Sequence, residues 1–138
     1  MDVQQYCENC LACAQANPTP SKRNAPLKSQ VYKGPWMALQ IDFVGPLPRT
    51  QRGNQYLLVI VDPFSKWVEA FPLKAKTAKA TAKVLLEQVF SQWGIPAEME
   101  SDQGSHFTGQ FFRDCLKLVG VLQRLHIPYR PQSSGMVE

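Results

Sequence analysis

The sequence predicts an α/β protein, with a five-stranded mixed sheet flanked by helices. Three strand-like stretches follow one another between residues 39 and 72 with no helix between them. Helical and strand-like patterns then alternate as far as residue 126, which is the order expected of a sheet with helices packed on it. A length of 138 residues allows one domain with a real core and is short for two. With 44% hydrophobic and 19% charged residues the composition is that of a globular chain, not a disordered one.

The first strand is read over 39–44, "LQIDFV", with Leu39, Ile41 and Phe43 on one face and Gln40, Asp42 and Val44 on the other. "GPLPRTQRGN" is a turn-rich connection. "YLLVIV" (56–61) is continuously apolar, as a strand buried on both faces would be. "DPFS" turns the chain into a third strand, "KWVEAFP" (66–72), closing an antiparallel meander.

A helix is expected over 77–93, capped by Thr77 and stopped by Gly94 and Pro96. Its buried stripe would be Ala82, Leu85, Leu86, Val89 and Trp93. A short strand follows at 97–101, then a helix at 109–120 with Phe111, Phe112, Cys115, Leu116 and Val119 facing inward. The fifth strand spans 121–126. Beyond it lies a loop, and Ser133 or Ser134 is suited to cap a further helix that begins as the sequence ends.

Residues 1–35 differ in character. "CENCLAC" holds three of the four cysteines as two overlapping C-x-x-C pairs, Cys7 with Cys10 and Cys10 with Cys13. With no basic and apolar leader before them, metal binding or reduced thiols fit better than disulfides. Cys115 is read as a buried core thiol. Residues 18–35 are rich in Pro, Lys, Ser and Asn without hydrophobic period and read as a linker or extended arm, so the folded part should begin near Trp36. The longest apolar run is far too short to span a membrane. A net charge of +4 suits nucleic acid, though many proteins that bind none share it.

Three acids stand out. Asp42 sits in mid-strand, where Asp is disfavoured, so it lies either on an exposed sheet face or where a function holds it. Asp102 follows a strand and opens "SDQGSHF", which is also what a turn aspartate does. Glu138 would fall in the first turn of the last helix, where a carboxylate favours the helix dipole. Separate structural roles leave their spacing unexplained: 59 residues lie between the first two and 35 between the last two.

"DFVGPLP", "YLLVIVDPFSKWVEAFP", "SDQGSHFTGQFF" and "IPYRPQSSGMVE" together resemble the catalytic core of retroviral and long-terminal-repeat retrotransposon integrases, closest to the gammaretroviral, foamy-viral and gypsy-like branches. The resemblance covers roughly residues 36–138, and "YCENCLACAQANP" resembles the end of the family's zinc-binding domain. It implies an RNase H-like fold and three parts: a zinc-domain remnant at 1–17, a linker at 18–35 and a catalytic core at 36–138. On this reading the chain is truncated at both ends, Glu138 is frayed and the fragment is inactive or nearly so alone.

The resemblance also implies an Asp42, Asp102, Glu138 triad holding two Mg²⁺ or Mn²⁺ ions, with Asp42 bridging both. The chemistry agrees, because clustered carboxylates repel unless cations neutralise them, and hard oxygen ligands select those ions. Two ions roughly 3.5–4 Å apart suit in-line displacement at phosphorus. The implied reactions are trimming of the element's DNA 3′ ends and attack of those ends on target DNA. A homo-oligomer acting on DNA in the host nucleus, carried there from a virion or virus-like particle, is implied for the parent protein, with no membrane partner.

Gln103 stands where many family members have Asn, a departure some branches share. Tyr129, Arg130, Gln132 and Ser133 lie on the loop before the third acid and are expected to contact DNA. Lys66, Lys74, Lys76 and Lys79 form either a basic surface for DNA or an ordinary solvated face. His106 is placed near the DNA and not on a metal, and His126 is given no role. Asp62 reads as a turn residue, Glu69 as solvent-facing and Asp114 as a helix-surface acid. Glu100 is read as pointing to the face opposite Asp102. The family's Zn²⁺ needs two His as well as two Cys, and only six residues precede Cys7, so Cys7 and Cys10 (or Cys10 and Cys13) make an incomplete site. The first 15 or so residues are then poorly packed, or helical without metal.

Two competing functions remain at this level. A domesticated or degenerate fragment would bind nucleic acid or protein without catalysis. A cellular RNase H-like nuclease would fit the fold but not the 35-residue spacing or the cysteine prelude.

Overall fold

The computed structural model describes residues 30–126. From Tyr32 the described residues belong to one compact unit. Its strands are β1 (Ala38–Val44), β2 (Tyr56–Val61), β3 (Val68–Leu73), β4 (Glu98–Ser101) and β5 (Leu122–Leu125). They form one sheet in the order β3-β2-β1-β4-β5. β1 pairs antiparallel with β2, and β2 with β3, as the meander predicts. β4 joins β1 in parallel and β5 joins β4 in parallel, so the sheet is mixed.

Helical segments connect these strands. α1 (Ala78–Val84) runs into a π-helical stretch, Leu85–Phe90, and a closing turn, α2 (Ser91–Trp93). α3 (Ser105–Thr108) and α4 (Gln110–Leu118) lie between β4 and β5. The predicted cap is present: the Thr77 side chain accepts a hydrogen bond from the Ala80 N–H at 3.2 Å. Gly94 ends the helix with φ 90°, a conformation that costs glycine nothing. The short α3 was not expected from the sequence, because four residues carry no usable period.

The core follows from alternation in the strands. Leu39 and Ile41 of β1, Leu58 and Ile60 of β2 and Met99 of β4 are buried together with Leu85, Val89, Phe107, Phe112 and Leu116. In register, Ile41 opposes Ile60 and Leu39 opposes Met99, so these side chains share one face, which the helices cover. Each large side chain fully withdrawn from water contributes about 1.5–3 kcal/mol.

Three side chains expected inside are not there. Leu86 and Trp93 are exposed, and the stripe closes instead on Val89 and Phe90. The π stretch is the reason: its i→i+5 bonding widens the turn and shifts the phase of every residue after it. Phe111 is 53% exposed, because α4 buries Phe112 and Leu116, one turn apart, and Phe111 falls to the side of that line. Cys115 and Val119 pack against the core only in part.

Strand ends also moved slightly. β3 begins at Val68, not at residue 66, because Lys66 takes φ 67° and belongs to the turn. Asp62 holds that turn. Its carboxylate accepts from Ser65 Oγ (2.7 Å), the Phe64 N–H (3.2 Å) and the Trp36 N–H (3.1 Å). The turn reading is therefore right, but the side chain is buried rather than at the surface. Gly45, just after β1, has φ 130°, and a Cβ there would sit 2.7 Å from the Gln55 carbonyl oxygen, so only glycine fits. No helix among the described residues is long and apolar enough to cross a membrane.

Candidate active site

The parallel pairing of β1 and β4 assembles the site. Gln40 opposes Glu100 in register. Asp42 and Asp102 each lie two residues further along their own chains, in the same direction. Parallel strands thus carry the two acids to neighbouring positions, Asp42 within β1 and Asp102 just past the end of β4. This is a place that the strand pattern alone does not reveal, because 59 residues separate them in sequence.

Each carboxylate is held by a nearby backbone N–H. Asp42 Oδ1 accepts from the Phe43 N–H at 2.7 Å, and Asp102 Oδ1 from the Gly104 N–H at 2.9 Å. The second is the Asx turn expected of Asp102. Asp42 is half-buried and Asp102 exposed. His106 lies within electrostatic reach of both. Burial of its ring lowers the imidazole pKa, the Asp102 charge opposes this, Lys76 adds to it and Asp42 opposes it more weakly. The net shift is downward, so the ring is neutral near neutral pH. His106 meets Phe43 edge-on, with ring centres 4.9 Å apart, and Phe107 at 4.2 Å. Gly104 makes this possible: a Cβ there would lie 2.4 Å from His106 Cε1 and 3.0 Å from Asp102 Oδ1.

Glu100 requires a correction. It was placed on the face opposite Asp102, yet strand residues two apart share a face, and its partners show which one. Glu100 is 2% exposed and its Oε2 accepts from Gln40 Nε2 at 3.0 Å and from the Tyr32 hydroxyl at 3.3 Å. Gln40 shares the Asp42 face of β1, so Glu100 does too. Burial and then the Glu100 charge push the Tyr32 hydroxyl up to about 12. The sequence pattern does not single out Tyr32, nor does it pair Gln40 with Glu100. The one signal was that Gln40 and Glu100 each precede an acid by two residues.

The remaining candidates divide clearly. Lys66, Lys74, Lys76 and Lys79 are all exposed. Asp114 is exposed on α4, accepting from Gln110 Nε2. Glu69 does not simply face solvent: half-buried, it accepts from the indole N–H groups of Trp93 (2.8 Å) and Trp67 (3.2 Å). Glu138, Tyr129, Arg130, Gln132 and Ser133 lie outside the described residues, as do Cys7, Cys10, Cys13 and the predicted last helix. Among the described residues no three His, Cys, Asp or Glu side chains cluster as a metal site would require.

A five-stranded mixed sheet with two acids brought together by its parallel strands is the arrangement of an RNase H-like fold. Solved structures agree. A chain of a simian T-cell lymphotropic virus intasome in complex with PP2A regulatory subunit B56 gamma superposes with TM-score 0.72 at 27% identity, covering 97% of this chain and 46% of that one. The catalytic core domain of BIV integrase gives TM-score 0.58 at 27% identity over 74% of this chain and 62% of that one.

Sequence comparison narrows the class. The integrase core domain family matches residues 33–131, and the chain belongs to that family. It is 42% identical over 136 residues to the Pol polyprotein of Radiation murine leukemia virus (strain Kaplan), covering 99% of this chain and 23% of that protein. It is 41% identical over 138 residues to the Gag-Pol polyprotein of Feline leukemia virus, all of this chain but 8% of that protein. The chain thus spans less than a quarter of these relatives.

Proposed function

We propose that this chain is the catalytic centre of a retroelement integrase, acting by metal-dependent polynucleotidyl transfer with Asp42, Asp102 and Glu138. The observation that carries the reading is the parallel register of Gln40 with Glu100, which makes Asp42 and Asp102 neighbours in a chain of the integrase core family. Glu138, 35 residues after Asp102, would complete the set.

The residues present fit a divalent metal. Two neighbouring carboxylates offer hard oxygen ligands and would repel without a cation. His106 lies within electrostatic reach of both, and burial lowers its pKa, which disfavours the charged form that would neutralise them. Asp42, Asp102 and Glu138 would hold the ions. When bound, a pair of divalent ions activates an attacking water or 3′-hydroxyl and stabilises the leaving oxygen at phosphorus. The chain's own part is to orient. The Phe43 and Gly104 N–H groups restrain the two carboxylates, and Phe43 and Phe107 pack His106 beside them.

DNA is the proposed substrate, as 3′-end processing and then strand transfer. Lys74, Lys76 and Lys79, all exposed, would contact phosphates, with Tyr129, Arg130, Gln132 and Ser133 nearer the reacting end. Work as a homo-oligomer on DNA in the host nucleus, and a zinc site completed outside this chain by partners for Cys7 and Cys10, belong to the same reading.

Strand transfer by the full-length protein tests it. Asp42→Asn and Asp102→Asn should each lower the rate by at least about 100-fold, the scale for losing a group that stabilises charge in the transition state. DNA binding should persist in both. Full activity in either variant would remove that acid from the mechanism. A parent that binds DNA but transfers no strand even unmutated would favour the non-catalytic alternative.

A further inference from the structure

The positive charge of the chain is not spread evenly. Residues 45–61 and 70–86 carry Arg49, Arg52, Lys74, Lys76, Lys79 and Lys83 and not one acid. All of these cations are exposed, and among the described residues none of them stands in an ion pair. An ordinary solvated face mixes charges of both signs. A surface of one sign repels itself, and a polyanion is the partner that relieves the repulsion.

The fold gathers the two segments. Residues 45–55 join β1 to β2 as a hairpin that leaves the sheet just after Asp42 and Val44. Its base is tied by the Leu47 N–H donating to the Gln55 carbonyl at 2.7 Å. Its tip is closed by the Thr50 N–H donating to the Asn54 carbonyl at 2.9 Å and the Gly53 N–H to the Thr50 carbonyl at 2.8 Å. Arg49 precedes this closed turn and Arg52 lies within it, so a backbone of fixed shape carries both. The Gln55 N–H donates to the Leu73 carbonyl at 3.0 Å, and a Cβ on Gly53 would lie 3.9 Å from Lys74 Cδ and Cε. The hairpin therefore runs alongside Lys74. Lys76 is near enough to His106 for its charge to act there, together with the charges of Asp102 and Asp42. Positive charge thus extends from the hairpin tip to the edge of the acidic site.

We propose that the β1–β2 hairpin is a phosphate-binding arm, in which Arg49 and Arg52, continued by Lys74 and Lys76, hold the backbone of duplex DNA as it approaches Asp42 and Asp102. The inference rests on the DNA reading above and adds the two arginines to it. A guanidinium suits the task, because its planar fork meets two phosphate oxygens at once. Contacts of this kind fix the position of a duplex without reading its bases, so the arm acts on DNA of any sequence.

Anisotropy of a labelled duplex of arbitrary sequence, titrated with the full-length protein between about 50 and 200 mM KCl, tests the arm. Arg49→Gln and Arg52→Gln should each weaken binding and lower the slope of log affinity against log salt by about 1 in magnitude, and the double variant by about 2. Arg52→Lys keeps the charge and should keep the slope. Arg124→Gln removes the same charge from β5, at the opposite edge of the sheet from β3, and should leave the slope unchanged. A wild-type slope in both Arg49→Gln and Arg52→Gln would overturn the arm and leave the DNA reading intact. An equal fall in Arg124→Gln would overturn it too, because the effect would then be one of net charge alone. A wild-type protein that does not bind the duplex would remove the DNA reading and the arm with it. Both arginines are exposed, so the urea midpoints of the variants should match the wild type. Weaker binding that tracks a fallen midpoint, with the salt slope unmoved, would also sink the proposal.

Discussion

The two faces of the central sheet are built by opposite rules. On the helix-covered face, Leu39, Ile41, Leu58, Ile60 and Met99 are buried against apolar side chains, and shape decides the fit. On the other face, Gln40 and Glu100 are buried just as deeply, and hydrogen bonds decide. A single strand, β1, serves both, its odd residues going to the core and its even ones to the polar face. The first face supplies stability. The second holds polar groups at a cost and leads directly to Asp42 and Asp102, so its worth is in placement.

Substitution separates the two rules. The largest expected effect is on the covered face: Phe112→Ala should cost about 3–5 kcal/mol, read as a fall in urea midpoint at unchanged slope. Leu39→Ala should cost about 2–5 kcal/mol by the same measure. A loss under about 1 kcal/mol at both sites would mean that this face is not the main source of stability.

On the polar face, Gln40→Ala should cost about 1–3 kcal/mol, because Glu100 loses a donor while staying buried. Replacing both by Leu should be near neutral in stability, since a buried polar pair rarely outperforms well-packed apolar groups. If the double variant is as unstable as Gln40→Ala, the polar face stabilises in its own right and the contrast fails.

A smaller effect depends on pH. Burial lowers the His106 pKa below its usual 6.5, so between the lowered value and 6.5 the unfolded chain binds more protons than the native one. The stabilising contribution is then fully present above 6.5 and is lost as pH falls through the lowered value. His106→Asn should flatten the stability difference between about pH 7.5 and about pH 5.5 measured by urea unfolding. An unchanged slope would show that the ring is not withdrawn from water.

The smallest effect is expected at the rim. Arg124 pairs with Glu98 at 2.8 Å, but its side chain is half exposed, so Arg124→Ala should change stability by about 0.5 kcal/mol or less. A change beyond about 1 kcal/mol would make this pair part of the polar network rather than surface decoration.

Much of the fold was legible in order. β2 falls where the apolar run placed it, and Thr77 and Gly94 bound the first helical segment as cap and stop chemistry require. The failures have causes that a linear pattern cannot carry. A π turn rotated Leu86 and Trp93 outward. Trp93 instead packs near Trp36 and Trp67, with ring centres 5.8 and 5.9 Å away, contacts that join three distant parts of the chain. Glu100 was assigned to the wrong face, and its partners Gln40, Tyr32 and His126 come from strands and segments that only the sheet order unites.

By itself, the sequence determined which elements form, because hydrophobic period, caps and glycine positions act over a few residues. It also determined the acids worth watching, through a spacing of 59 and 35 residues and the family motifs around them. Only the tertiary structure decided that Asp42 and Asp102 are neighbours, because adjacency depends on the parallel register of β4 with β1. The same register put Glu100 beside Gln40, and the pairing of β4 with β5 set Ser101, just before Asp102, beside Leu125. Local preferences choose helix or strand; which strands meet, and in what register, is settled by burying one common core.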